Sequence, residues 1–109
     1  MSDGTDSAPR PLEVWLDGQF VPVEEAKVSA FDAGFQHAVG LFETMTARHG
    51  RAFRATAHME RLLDSARSLL LLESLRLDSL VEAIHATVAR NELEDARVRL
   101  TLTGGPLNL

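Results

Sequence analysis

The sequence predicts an α+β fold, an antiparallel sheet with two helices packed on it. Three observations carry that expectation. Apolar runs flank Asp17-Gly18 and His49-Gly50, dipeptides suited to tight hairpin turns. Two later stretches place apolar residues at the three- and four-residue spacing of amphipathic helices. Beyond them Val98, Leu100 and Leu102 alternate with Arg99 and Thr101, the mark of a half-buried strand. The order β-β-β-β-α-α-β then gives a single sheet with both helices on one face.

Each element has its own signal. Residues 1–11 are polar and acidic, with Pro9 and Pro11 at their end, and they predict a disordered leader. Leu12–Leu16 and Gln19–Val21 form the first hairpin around Asp17-Gly18, which Pro22 and Glu24-Glu25 close. Residues 28–40 hold two glycines and no clear period, so an irregular loop is expected there. Leu41–Arg48 is a strand that His49-Gly50 turns into a short partner at Ala52–Arg54. Thr56 is the expected cap of the first helix, whose buried stripe is Met59, Leu62, Leu63, Ala66, Leu69 and Leu70. The second helix runs from about Leu80 to Arg90, capped by Asp78 or Ser79. Leu80, Val81, Ile84 and Val88 face inward, and Asn91 ends it.

Composition narrows the function classes. With 109 residues the chain forms one domain at most, residues 12–109, large enough for a modest core. A net charge of −5 argues against a nucleic-acid partner, because phosphate binding leaves a basic excess. The absence of cysteine excludes disulfides, thiolate metal sites and cysteine nucleophiles. The longest wholly apolar run is Leu69–Leu72, far short of the ~20 residues that span a bilayer, and residues 1–11, with no apolar stretch, are not expected to be a secretory signal. No membrane partner is therefore expected, and the cytoplasm is the default compartment. His37, His49, His58 and His85 show no metal-binding spacing, so no metal is expected. Neither a nucleotide-binding glycine loop nor a GxSxG elbow is present.

On a helical wheel His58, Arg61 and Ser65 share one edge of the apolar stripe. An arginine there, near a helix start, suits a phosphate through its planar fork and the positive helix end. The same position also suits an arginine that covers apolar surface and pairs with a carboxylate. Glu43, on the strand, is open to two readings as well: a general base, or a solvated or paired carboxylate.

Four blocks in order resemble the N-terminal part of class IV (fold type IV) pyridoxal-phosphate enzymes. That family contains branched-chain and D-amino acid aminotransferases and aminodeoxychorismate lyase. Trp15-Leu16-Asp17-Gly18-Gln19-Phe20-Val21 is similar to its W-(N/D)-G-x-x-V hairpin. Residues Asp32 to Glu43 are similar to D-R-G-F-x-(Y/F)-G-D-G-(V/L)-F-E. His58-Met59-Glu60-Arg61-Leu62-Leu63-Asp64-Ser65-Ala66 matches H-x-x-R-L-x-x-S-A throughout. Val98 to Thr103 resembles V-R-(I/L)-x-(V/I)-T. Ala33, His37-Ala38-Val39 and Gly104 depart from the pattern, and by the resemblance the middle change removes an aromatic pocket wall and a loop carboxylate, leaving the substrate class open.

The resemblance implies an amino-acid aminotransferase that uses pyridoxal 5'-phosphate and moves an amino group between an amino acid and a 2-oxo acid. It implies Arg61 as the cofactor-phosphate ligand, and His37, Phe42 and Arg99 as substrate-side residues. It leaves Glu43 structural. Such chemistry needs a lysine amine to hold the cofactor, and Lys27 is the only lysine. The family's catalytic lysine lies in a larger C-terminal domain. The expectation is therefore that residues 12–109 are the small domain, with no catalytic residue of their own, and that the chain alone is inert. A homodimer is implied for the whole enzyme. An aminodeoxychorismate lyase and a non-catalytic binding or assembly module are the alternatives.

Overall fold

The computed structural model describes residues 12–69 and 75–105. The leader 1–11 and the inward position assigned to Leu70 lie outside the described residues. Strands β1 (Glu13–Leu16) and β2 (Gln19–Pro22) pair as an antiparallel hairpin, with Leu16 opposite Gln19. The turn between them puts Asp17 at φ 51° and Gly18 at φ 88°, both positive as the two-residue turn requires. A 3-10 turn follows at Val23–Glu25, then a short helix α1 (Ala33–His37). Next come β3 (Gly40–Arg48), β4 (Arg51–Ala52), α2 (Ala55–Ser68), α3 (Leu77–Arg90) and β5 (Ala96–Thr103).

All strand pairing among the described residues is antiparallel, and α2 and α3 pack on the sheet, as expected. The strands, however, form two sheets: β1-β2 alone, and β4-β3-β5 with β3 in the centre. The hairpin is held to the end of α3 chiefly by one residue. Asn91, the C-cap, accepts from the Glu13 amide at 2.7 Å and donates to the Glu13 carbonyl at 3.0 Å and the Thr87 carbonyl at 2.8 Å. Arg90 adds a 2.8 Å ion pair with Glu13 and lies 4.8 Å over the Phe20 ring.

The core lies between the β4-β3-β5 sheet and the two helices. Met45 and Ala47 from β3 and Val98 from β5 meet Met59, Leu62 and Leu63 from α2 and Leu80, Ile84 and Val88 from α3. Met59 and Leu62 are almost wholly buried, each worth about 1.5–3 kcal/mol relative to exposure. Leu69, expected in this stripe, is instead the C-cap of α2 and half exposed, because the helix ends one residue before it.

Local signals misplaced several boundaries. An α-helical turn stands where an irregular loop was expected. Asp32 makes it by accepting from the Gly34 amide at 2.7 Å, a side-chain cap on a segment too short to show a period. Helix α2 begins at Ala55 without a side-chain cap. Its N-cap is Arg54 at φ 57°, not Thr56, because the β3–β4 hairpin feeds directly into the helix. Likewise α3 begins at Leu77 behind Arg76, about one turn earlier than predicted, leaving Asp78 and Ser79 inside the first turn. Strand β4 is only Arg51–Ala52, since the left-handed Arg54 ends the extended chain.

Segment α1 is fastened to the far end of β5. The buried Asp32 carboxylate accepts from Thr103 Oγ1 at 3.0 Å, the Ala33 amide donates to the Gly105 carbonyl at 2.8 Å, and the Gly104 amide donates to the Val39 carbonyl at 3.1 Å. The fit is close enough that a Cβ at Gly34 would lie 2.7 Å from the Thr103 methyl.

Candidate functional site

Alternation along β3 divides the candidate residues between two sides. Leu41, Glu43, Met45 and Ala47 project to the helix side, where Met45 and Ala47 are buried. Phe42, Thr44 and Thr46 project to the opposite, open side and are exposed. Strand β5 continues both sides, with Thr101 opposite Phe42, Arg99 opposite Thr44 and Arg97 opposite Thr46.

On the helix side, the first two turns of α2 reach Glu43. His58 and Arg61 are three residues apart and therefore share a face. Arg61 Nε donates to Glu43 Oε2 and Nη2 to Oε1, both at 2.8 Å, a side-on fork on the carboxylate. His58 Nδ1 lies 2.7 Å from Oε1. A carboxylate only accepts, so Nδ1 carries the proton in this bond. The Glu43 side chain is 10% exposed while that of Arg61 is 69% exposed. Arg61's hydrogen bonds hold the Glu43 carboxyl below its ordinary value of 4.5, against the opposing effect of partial burial, and His58 adds to the lowering. The same pair raises the Arg61 guanidinium above its ordinary value, so both partners are ionised at neutral pH.

Glu43 is thus the paired carboxylate of the two readings, with both oxygens engaged by Arg61 and His58. Of the residues predicted on this edge, His58 and Arg61 come together. Ser65 is half-buried and its side chain makes no hydrogen bond among the described residues. Arg67 pairs within its own helix with Asp64 at 2.9 Å.

The open side brings together two of the three predicted substrate-side residues. The Arg99 guanidinium stacks 3.9 Å from the Phe42 ring centroid, and its Nε donates to Thr101 Oγ1 at 3.3 Å. Register produces this contact: Phe42 faces Thr101 and is therefore diagonal to Arg99 on the same side. His37 stands apart. It is the exposed last residue of α1, three residues before β3, and touches neither Phe42 nor Arg99 through any hydrogen bond or ring contact among the described residues. Lys27 is exposed in the stretch between the 3-10 turn and α1, with no ion pair among the described residues. Among those residues no group of His, Asp and Glu could hold a metal ion, and no helix is long and apolar enough to cross a membrane.

Sequence reasoning missed two features. The partnership of Glu43 with His58 and Arg61 was unseen, although the strand pattern and the three-residue spacing on α2 were each visible. The Arg99–Phe42 stack needed the β3–β5 register, which no local pattern supplies.

An anion ligand fits the Arg61 position. The Nε edge of the guanidinium is filled by Glu43, while Nη1 makes no hydrogen bond among the described residues and the side chain faces solvent. The outer edge therefore retains donors suited to a phosphate.

Comparison with known proteins bears on the family and the fold. The sequence family described as "Amino-transferase class IV" matches residues 40–109. A Methanocaldococcus jannaschii protein assigned as a branched-chain amino acid aminotransferase is 37% identical over 94 residues, covering 86% of this chain and 33% of its own length. The D-alanine aminotransferase of Staphylococcus aureus is 32% identical over 93 residues, covering 85% of this chain and 33% of its own. The T.th. branched-chain amino acid aminotransferase, solved with N-(5'-phosphopyridoxyl)-L-glutamate, superimposes with a TM-score of 0.83 at 28% identity over 94% of this chain and 36% of that one. The chain spans about a third of the length of the curated relatives it matches. In sequence and in fold, this chain belongs to the class IV amino-transferases.

Proposed function

We propose that this chain is the N-terminal part of a pyridoxal 5'-phosphate-dependent aminotransferase that moves an amino group between an amino acid and a 2-oxo acid. The observation that carries the reading is Arg61: a fully charged guanidinium on the family's phosphate-binding motif, tied on one edge to Glu43 and open on the other. The solved relative bound to a phosphopyridoxyl amino acid supports the cofactor. When bound, the cofactor supplies an electron sink for bond changes at the substrate Cα.

The chain's own residues bind and orient. Arg61 takes the cofactor phosphate through its outer nitrogens. Phe42 supplies an apolar wall and Arg99 a positive charge for a substrate carboxylate, the two already stacked on one another. His37 enters from the end of α1. None of these residues is assigned a bond-making step, so the catalytic amine belongs elsewhere in the protein, and residues 1–109 alone are inert. The homodimer, the cytoplasmic setting and the small-molecule partners belong to the same reading.

The test uses the full-length protein with pyridoxal phosphate, a panel of L- and D-amino acids, and 2-oxoglutarate. Formation of the matching 2-oxo acid is expected. Arg61→Met should raise the cofactor dissociation constant at least about tenfold, the worth of one charge-assisted hydrogen-bonding group. Failure of every amino acid to react, or an Arg61→Met variant that binds cofactor as the wild type does, overturns the assignment.

A further inference from the structure

Glu43 sets a negative charge against the one arginine that the preceding reading gives to a phosphate. By charge alone it weakens an anion there. Its geometry accounts for its presence. The two carboxylate oxygens occupy Nε and Nη2, both at 2.8 Å, which fixes the plane and the direction of the guanidinium. His58 grips Oε1 from a separate direction at 2.7 Å. Glu43 stands on the central strand of its sheet with its side chain 10% exposed, whereas Arg61 is 69% exposed. A fixed, ordered anchor thus holds a long side chain that would otherwise sample many rotamers in solvent.

We propose that Glu43, backed by His58, is a positioning residue: it holds the Arg61 fork by its inner edge so that Nη1 and the outer edge present ordered donors to the cofactor phosphate. The inference rests on the assignment of Arg61 to that phosphate. Two opposing effects decide whether the arrangement helps. Ordering a mobile arginine before the anion arrives is worth up to about thirtyfold in affinity. Repulsion between charges on opposite edges of one exposed guanidinium, in a water-like dielectric, costs only about threefold. Positioning wins by about tenfold.

The sign of one substitution separates this role from simple electrostatics. In the full-length apoprotein, the dissociation constant for pyridoxal phosphate is measured by absorbance titration for wild type, Glu43→Gln, Glu43→Asp, His58→Asn and Arg61→Met, each checked for folding by circular dichroism. Glu43→Gln should bind the cofactor about tenfold more weakly even though it removes a negative charge beside an anion. Glu43→Asp should recover part of the loss, and His58→Asn, which leaves both Glu43–Arg61 bonds, should lose about threefold. Should Glu43→Gln not fold, His58→Asn and Glu43→Asp carry the test. Unchanged or tighter binding in the Glu43 and His58 variants, with weaker binding in Arg61→Met, overturns the positioning role while leaving Arg61 as the phosphate ligand. Unchanged binding in Arg61→Met overturns that assignment, and the positioning role with it.

Discussion

On the helix side of β3, Met45 and Ala47 are sealed beneath α2 and α3, and Glu43 completes the row by gathering His58 and Arg61 at its margin. On the other side, one residue away along the same strand, Phe42, Thr44 and Thr46 face solvent beside Arg97 and Arg99. The contrast teaches how a single strand serves two purposes. The packed side supplies rigidity and passes it to a charged cluster at its edge. The open side carries exposed polar, charged and aromatic side chains with little packing of their own, so they are held by one another, as Arg99 is by Phe42. The proposed cofactor ligand and the proposed substrate residues therefore approach β3 from opposite directions.

The sharpest way to break the comparison is to remove mass from the packed side. Leu62→Ala should destabilise the chain by about 2–5 kcal/mol, since a 2% exposed leucine leaves a cavity its neighbours cannot fill. Thr44→Ala on the open side should stay within about 0.5 kcal/mol. Urea denaturation of both variants measures the gap; equal losses would mean that the open side is packed as well.

A second, smaller effect is confined to acid. The Glu43 carboxyl titrates below its ordinary value of 4.5 in the folded chain. Its contribution to stability is therefore complete above that value and is lost as pH falls through the lower, folded one. Denaturation midpoints between pH 7 and pH 3 should fall more steeply for the wild type than for Glu43→Gln. Parallel profiles would show that the cluster contributes nothing to folding.

The smallest effect belongs to the open side. The Arg99–Phe42 stack is exposed, so a double-mutant cycle with Phe42→Leu and Arg99→Gln should return a coupling of about 0.5–1 kcal/mol. A coupling of zero would leave Arg99 held only by Thr101.

Much of the architecture was legible because its causes are local. Asp17-Gly18 and His49-Gly50 both take positive φ and both turn a hairpin. The spacing of Met59, Leu62 and Leu63 marked the buried face of α2 before any partner was known. Helix starts were less legible. Arg54 and Arg76 precede α2 and α3 with no side-chain cap, so tertiary packing set those boundaries against the preference for Ser, Thr and Asp. The hairpin's separation from the main sheet was also invisible, because it depends on Asn91 meeting the Glu13 backbone across 78 residues of chain.

By itself, the sequence determined the order of the strands and of the two long helices, the turns and the buried helix faces, because each rests on spacing within one or two turns of chain; the family rested on the resemblance of four motif blocks in order. Only the tertiary structure decided what Glu43 is for. Its partners lie 15 and 18 residues away on another element, and they meet it because burial of α2 on β3 fixes both at once. The side of the strand on which each candidate falls follows from period-two alternation, but which side faces the helices is settled only when the core closes.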